Sequence, residues 1–141
     1  MRRWNLPLTY QPKIEPVRKG ECTQTIRVCM PGKPKKQVGD LIRFYVWSGK
    51  PYRSKRETIT GYMVLVTVKN CRITLAGIDY LTFLGETRFW YWDELDALAA
   101  LDGIVPATGE ALRDVLIEKN PIPEGGTEAQ ILRWDPAGVR A

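Results

Sequence analysis

The clearest hydrophobic pattern lies at residues 41–47. There Ile42, Phe44 and Val46 alternate with Arg43, Tyr45 and Trp47. A period of two predicts a strand with one core face and one aromatic-basic face. Around it the chain reads as a series of short elements. Residues 6–10 read as a first strand, with Pro7 suited to a strand start. Pro12 opens a short helix with Ile14 and Val17 on one face, Pro16 limits it to a turn or two, and Gly20 caps it. Residues 22–28 read as a second strand. Residues 57–68 form the most apolar strand, with a bulge expected at Gly61 and a tight turn at Lys69 and Asn70. Residues 71–76 then return as its hairpin partner. The aromatic-rich stretch 82–92 reads as a strand running into a helix.

The last third has a different rhythm. Asp93 caps a helix over 94–101 that Gly103 ends, and Thr108 caps a second helix over 109–119 with Leu112, Val115 and Leu116 on its apolar face. Residues 129–134 read as a closing strand, and 135–141 as a frayed tail. Short strands with mixed turns, one early helix and a late helix pair predict an α+β fold: a small mixed β-barrel with helices packed over its ends. With 141 residues, one domain over 1–141 is the expected organisation.

Composition narrows the chemistry. No apolar run approaches a membrane span, and Met1 to Pro7 contains no apolar core of a signal peptide, so no membrane partner is expected. Cys22, Cys29 and Cys71 are odd in number and form no C-x-x-C pair, which reads as reduced thiols in a cytoplasmic protein. The chain has 0 His, which removes the commonest general base and metal ligand and every Ser-His or Cys-His pair. No metal and no cofactor are expected. The net charge of +5 conceals a division. Residues 1–60 carry 14 Lys and Arg against 4 Asp and Glu, a net of +10, and residues 61–141 carry 7 against 12, a net of −5. Such a basic half points to a polyanion, with nucleic acid as the expected partner.

Within the basic half, Thr23, Thr25 and Arg27 share one strand face. Two hydroxyls and a guanidinium form a donor row suited to phosphate or a base edge, though an ordinary Thr-rich edge strand looks the same. Lys50, Arg53, Lys55 and Arg56 can follow a nucleic-acid backbone, with Trp47 and Tyr52 as stacking platforms; a solvated loop is the simpler alternative. Trp90 and Trp92 read as core or cleft-wall residues. Catalysis at Thr25 would need a base, for which Lys19 or Cys22 are the candidates, and Cys22 in an electropositive pocket could itself be a nucleophile. A small lone cysteine also reads as a buried spacer.

The segment Gly20-Glu21-Cys22-Thr23-Gln24-Thr25-Ile26-Arg27 resembles the G-x-K-T-x-T-x-R signature of the ASCH domain, a branch of the PUA-like β-barrels. Leu6-Pro7-Leu8, Val38-Gly39-Asp40, Asp102-Gly103-Ile104 and Ile131-Leu132-Arg133-Trp134 are similar to further family segments in the same order. The stretch from Trp47 to Lys55 is similar to phage and prophage members. The resemblance implies a PUA-like barrel with a cleft lined by the signature, and RNA as the favoured ligand. It also implies an alternative: a hydrolase acting on a modified nucleoside, as in acetylcytidine amidohydrolases, or on RNA as a ribonuclease. In the amidohydrolases a signature lysine and threonine act with a downstream glutamate. Thr25 matches the threonine, Cys22 stands at the lysine position, and Asp79 and Glu86 are the candidates for the carboxylate.

Overall fold

A computed structural model describes the backbone of residues 1–50, 52–74, 77–81, 87–89 and 92–140, and the side chains of 1–50, 52–74 and 94–137. Its elements are β1 (Arg3–Pro7), α1 (Gln11–Arg18), β2 (Gln24–Val28), β3 (Leu41–Trp47), β4 (Arg56–Thr58), β5 (Tyr62–Thr74), β6 (Gly77–Leu81), β7 (Thr87–Phe89), α2 (Trp92–Leu101), α3 (Gly109–Lys119) and β8 (Thr127–Arg140). The fold is α+β, built on one mixed sheet of 8 strands.

Two long strands form the spine. β5 pairs antiparallel with β8 from Tyr62↔Arg140 to Ile73↔Thr127, with register shifts between Met63 and Thr67. β3 joins β5 at Leu41↔Val64 and Ile42↔Met63, and β1 joins β3 in parallel. On the other flank β2 pairs with β8. Among the described residues no pairing joins β1 to β2, so the sheet stays open between those edges.

β8 explains the layering. Ala129 and Ile131 pack with Leu95, Leu98, Ala99, Leu112 and Leu116, so α2 and α3 cover one face of the sheet. Leu132 and Trp134 pack with Leu6, Val17, Ile42, Phe44 and Met63 in a second core on the other side. A strand buried on both faces reads as a continuous apolar run, as Ile131-Leu132 does. The helices therefore lie against sheet faces rather than over barrel ends.

Several elements differ from the sequence reading. The first strand is Arg3–Pro7, and Leu8 is buried just beyond it. The stretch 57–68 splits, because Thr60 Oγ1 accepts the Phe44 N–H at 3.0 Å and breaks the ladder before Gly61. The irregularities fall between Met63 and Thr67, not at Gly61. Lys69 and Asn70 form no turn: they continue β5 opposite Ile131 and Gln130, and Asn70 Oδ1 accepts the Gln130 Nε2–H at 3.1 Å. Side-chain pairing across the ladder holds a polar pair inside a strand that its composition marks as a turn. Residues 71–74 belong to the same strand, and the hairpin partner is β6. β8 continues to Arg140, where Val139 and Arg140 pair with Met63 and Tyr62, so 135–140 are strand rather than frayed tail. The helix expected from residue 94 begins at Trp92, with Asp93 in its first turn. α3 matches its expected span, with Thr108 Oγ1 accepting the Ala111 N–H at 3.1 Å.

Candidate nucleic-acid interface

The signature segment begins outside regular structure. α1 ends at Arg18 with Lys19 as its C-cap, and Gly20 follows with φ +77°, a left-handed conformation that glycine adopts without a Cβ penalty. The N–H groups of Glu21 and Cys22 both bond to the Pro16 carbonyl, at 2.8 and 3.0 Å, so the chain folds back against the helix before entering β2. Cys22 thus precedes the strand, and its thiol faces the carbonyl oxygens of Gln24 and Leu101, each at 3.6 Å.

Beneath it lies an ion pair that the sequence reading did not identify. Lys13, on the buried side of α1 four residues before Val17, donates to Asp102 Oδ2 at 3.1 Å. Both residues are almost fully enclosed, at 4% and 5% exposure. Among the described residues Asp102 Oδ1 has no partner at hydrogen-bond distance, while the Gln24 amide is near enough to lower the carboxyl. Burial pulls the Lys13 ammonium below its ordinary value, against the raising charges of Asp102 and Cys22. Burial likewise pushes the Asp102 carboxyl and the Cys22 thiol up, against the charge of Lys13. A Cβ built on Gly103 would lie 3.2 Å from Cys22 Sγ and 3.6 Å from Lys13 Cγ, which locates the cysteine and the lysine stem side by side. Lys13 therefore brings an ammonium into the neighbourhood of Cys22. A buried, protonated thiol facing carbonyl oxygens is the geometry of a spacer and the opposite of what a thiolate nucleophile needs. Lys19 stands exposed at the end of α1.

Thr25 and Arg27 occupy the face of β2 turned toward the second core. Thr25 is 3% exposed, and its Oγ1 accepts from Arg27 Nε at 3.2 Å. The Arg27 guanidinium lies 5.8 Å from the centre of the Phe44 ring. Burial brings its pKa down to about 10, against the raising charges of Asp102 and Tyr45. Thr23 is half-buried one pleat earlier, and its carbonyl accepts the Trp134 N–H at 3.2 Å.

Beyond Arg27 the cleft opens into a pocket of about 190 Å³ lined by Trp4, Arg27, Cys29, Lys33, Lys36 and Gln130, among others. Lys36 Nζ sits 4.6 Å from the Trp4 ring centre. Burial, then repulsion from Arg27, lowers the Lys36 ammonium, while Cys29 and Asp40 oppose that shift. Gln130 fixes the loop: its Oε1 accepts the Lys36 N–H at 3.1 Å and its Nε2 donates to the Lys36 carbonyl at 2.9 Å. Lys35 pairs with Glu128 at 3.0 Å. Among the described residues, neither Arg27 nor Lys36 has a carboxylate within ion-pair distance. Two converging cations with no carboxylate at ion-pair distance among the described residues, beside an indole, can hold an anion next to a planar group.

The second basic loop is elsewhere. Lys50, Arg53, Lys55 and Arg56 are exposed between β3 and β4. Trp47 and Tyr52 stack with ring centres 5.2 Å apart. The structure thus brings together Cys22, Lys13 and Asp102, joins Thr25 to Arg27, and gathers Trp47, Tyr52 and Arg56 into a separate cluster. Asp79 is described by its backbone alone, in β6, while Glu86 and Trp90 lie outside the described residues, as do the side chains of Trp92 and Asp93. Among the described residues no three of His, Cys, Asp or Glu stand close enough to hold a metal ion. No helix among them is long and apolar enough to cross a membrane.

The sequence reading missed Lys13, Trp4, Lys36 and Gln130. Lys13 carried one usable signal, its spacing of four from Val17. The others meet only through the long-range pairing of β1, β2 and β8. Comparison with family models, with curated proteins and with solved structures returns no match to this chain.

Proposed function

We propose that this protein is a nucleic-acid-binding module, with RNA as the favoured ligand, and that its cleft is the basic pocket at the end of β2. The carrying observation is the convergence of Arg27 and Lys36 on one pocket with no ion-pair partner among the described residues. An anion there relieves the repulsion between the two cations, and a phosphate matches the guanidinium fork. The Trp4 indole offers an adjacent apolar surface for a base or sugar. Two long strands, β5 and β8, with bulges near Met63, support a relationship to PUA-like barrels of the ASCH type, left open between β1 and β2.

The test is a salt titration of RNA binding by fluorescence anisotropy. Binding should weaken steeply with added salt, through counter-ion release. Arg27→Gln with Lys36→Gln should weaken it further. For a single strand the log–log salt slope should flatten by about 0.7 for each phosphate that the variant no longer neutralises. A wild-type affinity and slope in that variant would remove the pocket from the binding surface.

Lys13 sustains a second reading, a hydrolase of a modified nucleoside. Its ammonium lies beside Cys22, the position at which the resembling signature carries lysine. Against it, Lys13 is already committed to Asp102, and Thr25 Oγ1 is held by Arg27, with no base paired to the hydroxyl among the described residues. The binding reading expects no acetylcytidine hydrolysis above background. Turnover that disappears in Thr25→Ala would replace it with the hydrolase.

A further inference from the structure

We infer that the opposite face of the β1–β3–β4 sheet is a second nucleic-acid surface, a stacking platform for single strands that is separate from the Arg27 pocket. It shares with the reading above only the polyanionic partner and stands on different residues. Alternation puts Trp4 and Arg3 on opposite sides of β1, and Phe44 and Tyr45 on opposite sides of β3. Trp4 and Phe44 belong to the pocket side. The other side carries arginines laid on aromatic rings. Arg3 and Arg43 both sit over Tyr62, at 5.4 and 4.6 Å from its centre. Arg56, the cross-strand neighbour of Trp47, sits over Tyr45 at 4.6 Å and over Trp47 at 5.2 Å. Trp47 in turn meets Tyr45 edge-on at 5.5 Å and Tyr52 at 5.2 Å.

Three features separate this face from a solvated basic surface. Among the described residues, none of Arg3, Arg43 and Arg56 has a carboxylate at ion-pair distance. Glu57, the acid of β4, alternates to the other side from Arg56. Arg43 instead donates its Nε–H to Asn5 Oδ1, which fixes the guanidinium plane and leaves other donors free. Second, Tyr52 is 86% exposed and has φ +63°, a conformation that costs a bulky residue free energy. The loop holds that strained tip in place: Ser54 Oγ accepts the Gly49 N–H at 2.9 Å and donates to the Lys50 carbonyl at 2.8 Å. An aromatic ring held in water at a backbone cost is poised to cover something planar. Third, from Arg43 to Trp47 the platform spans about 13 Å at 3.3 Å per residue, comparable with sheets that stack two or three bases.

The ligand chemistry follows. Rings and guanidinium planes accept the faces of unpaired bases, which a duplex hides. Lys50, Arg53 and Lys55 at the rim meet phosphates without reading sequence.

The experiment titrates a short fluorescein-labelled oligouridine, and an RNA duplex of the same length, into the full chain. The single strand should bind more tightly than the duplex. Tyr52→Ala should weaken single-strand binding at least about fivefold, the lower bound for removing one stacked base. Tyr52→Phe should retain wild-type binding, because stacking needs the ring and not the hydroxyl. The same loss should recur in an Arg27→Gln background. Equal binding by Tyr52→Ala and wild type would overturn the proposal. So would preference for the duplex, or capture of the chain by anionic vesicles with no binding of oligouridine. A Tyr52→Ala loss that vanishes when Arg27 is replaced would make the two surfaces one site. If the pocket variants bind normally while Tyr52→Ala does not, the pocket reading fails and the platform stands.

Discussion

At Lys13 and Asp102 two charges are enclosed without full compensation. Each is more than nine-tenths hidden, and among the described residues Asp102 Oδ1 has no partner at hydrogen-bond distance. Both shifts originate in burial, and both favour the neutral forms: the carboxyl is raised and the ammonium is lowered. The signs follow from linkage. A raised folded carboxyl pKa gives stability below its ordinary value that is lost as pH climbs through the folded value. A lowered folded ammonium pKa means that stability grows as pH climbs from that value toward 10.5. The charged pair is therefore least favourable between the two folded values. Removing one partner is still worse, because the other charge stays buried alone. Lys13→Met should cost about 3–5 kcal/mol at neutral pH. Lys13→Met combined with Asp102→Leu should recover most of that loss. Urea unfolding of the single and double variants measures both, and an additive double variant would show that the pair does not act as a unit.

At the level of elements, Asp40 is the joint between β1 and β3. Its Oδ1 accepts the Arg2 N–H at 3.1 Å, and its Oδ2 accepts the Trp4 indole N–H and the Gln37 N–H, each at 3.0 Å. One side chain thus aligns the parallel edge strand and sets the indole that walls the pocket. Burial alone would raise this carboxyl, but the three donors outweigh it and hold it below its ordinary value. Its contribution is present above the unfolded value of 3.8 and is lost as pH falls through the lower folded value. Asp40→Asn should destabilise the fold by about 2 kcal/mol at neutral pH, by exchanging charge-assisted bonds for weaker or missing ones. The gap to wild type in urea midpoints should close as the pH is taken below that range. A gap unchanged in acid would mean that the carboxylate charge is not what binds the strands.

What was legible in the sequence follows the same division between local and long-range causes. β3 and α3 could be read because their signals are local: a strict alternation in one, and a threonine cap with an apolar face in the other. The continuation of β5 through Lys69 and Asn70 could not, because it depends on Gln130, 60 residues away. The same is true of the site. Thr25, Arg27, Trp47, Tyr52 and Arg56 stand out as residue types in a strand or loop. Lys13, Lys36 and Trp4 acquire meaning only when α1 is buried beside residue 102, and when the 30–37 loop is pinned by Gln130.

Across the whole molecule, the charge division of the sequence falls on different elements. The basic half supplies β1, α1, β2, β3 and β4, with both cationic loops, and the acidic half supplies α2 and α3 together with β5 to β8. Glu110, Asp114 and Glu118 line an exposed stripe of α3 at helical spacing. A cluster of exposed cations draws a polyanion to the loops that carry it. The consequence is kinetic. Changing Lys50, Arg53 and Lys55 together to Ala should slow RNA association and flatten its dependence on ionic strength. Dissociation should change less, because exposed rim charges act mainly on encounter. Neutralising Glu110, Asp114 and Glu118 to Gln, Asn and Gln should leave association nearly unchanged in moderate salt. That stripe belongs to neither cationic loop, and screening removes interactions beyond about 10 Å at 0.1 M. Stopped-flow fluorescence over a range of salt concentrations compares the two variants. If the acidic-stripe variant accelerated association as much as the loop variant slowed it, net charge alone would govern encounter. The placement of the cationic loops would then carry no functional weight.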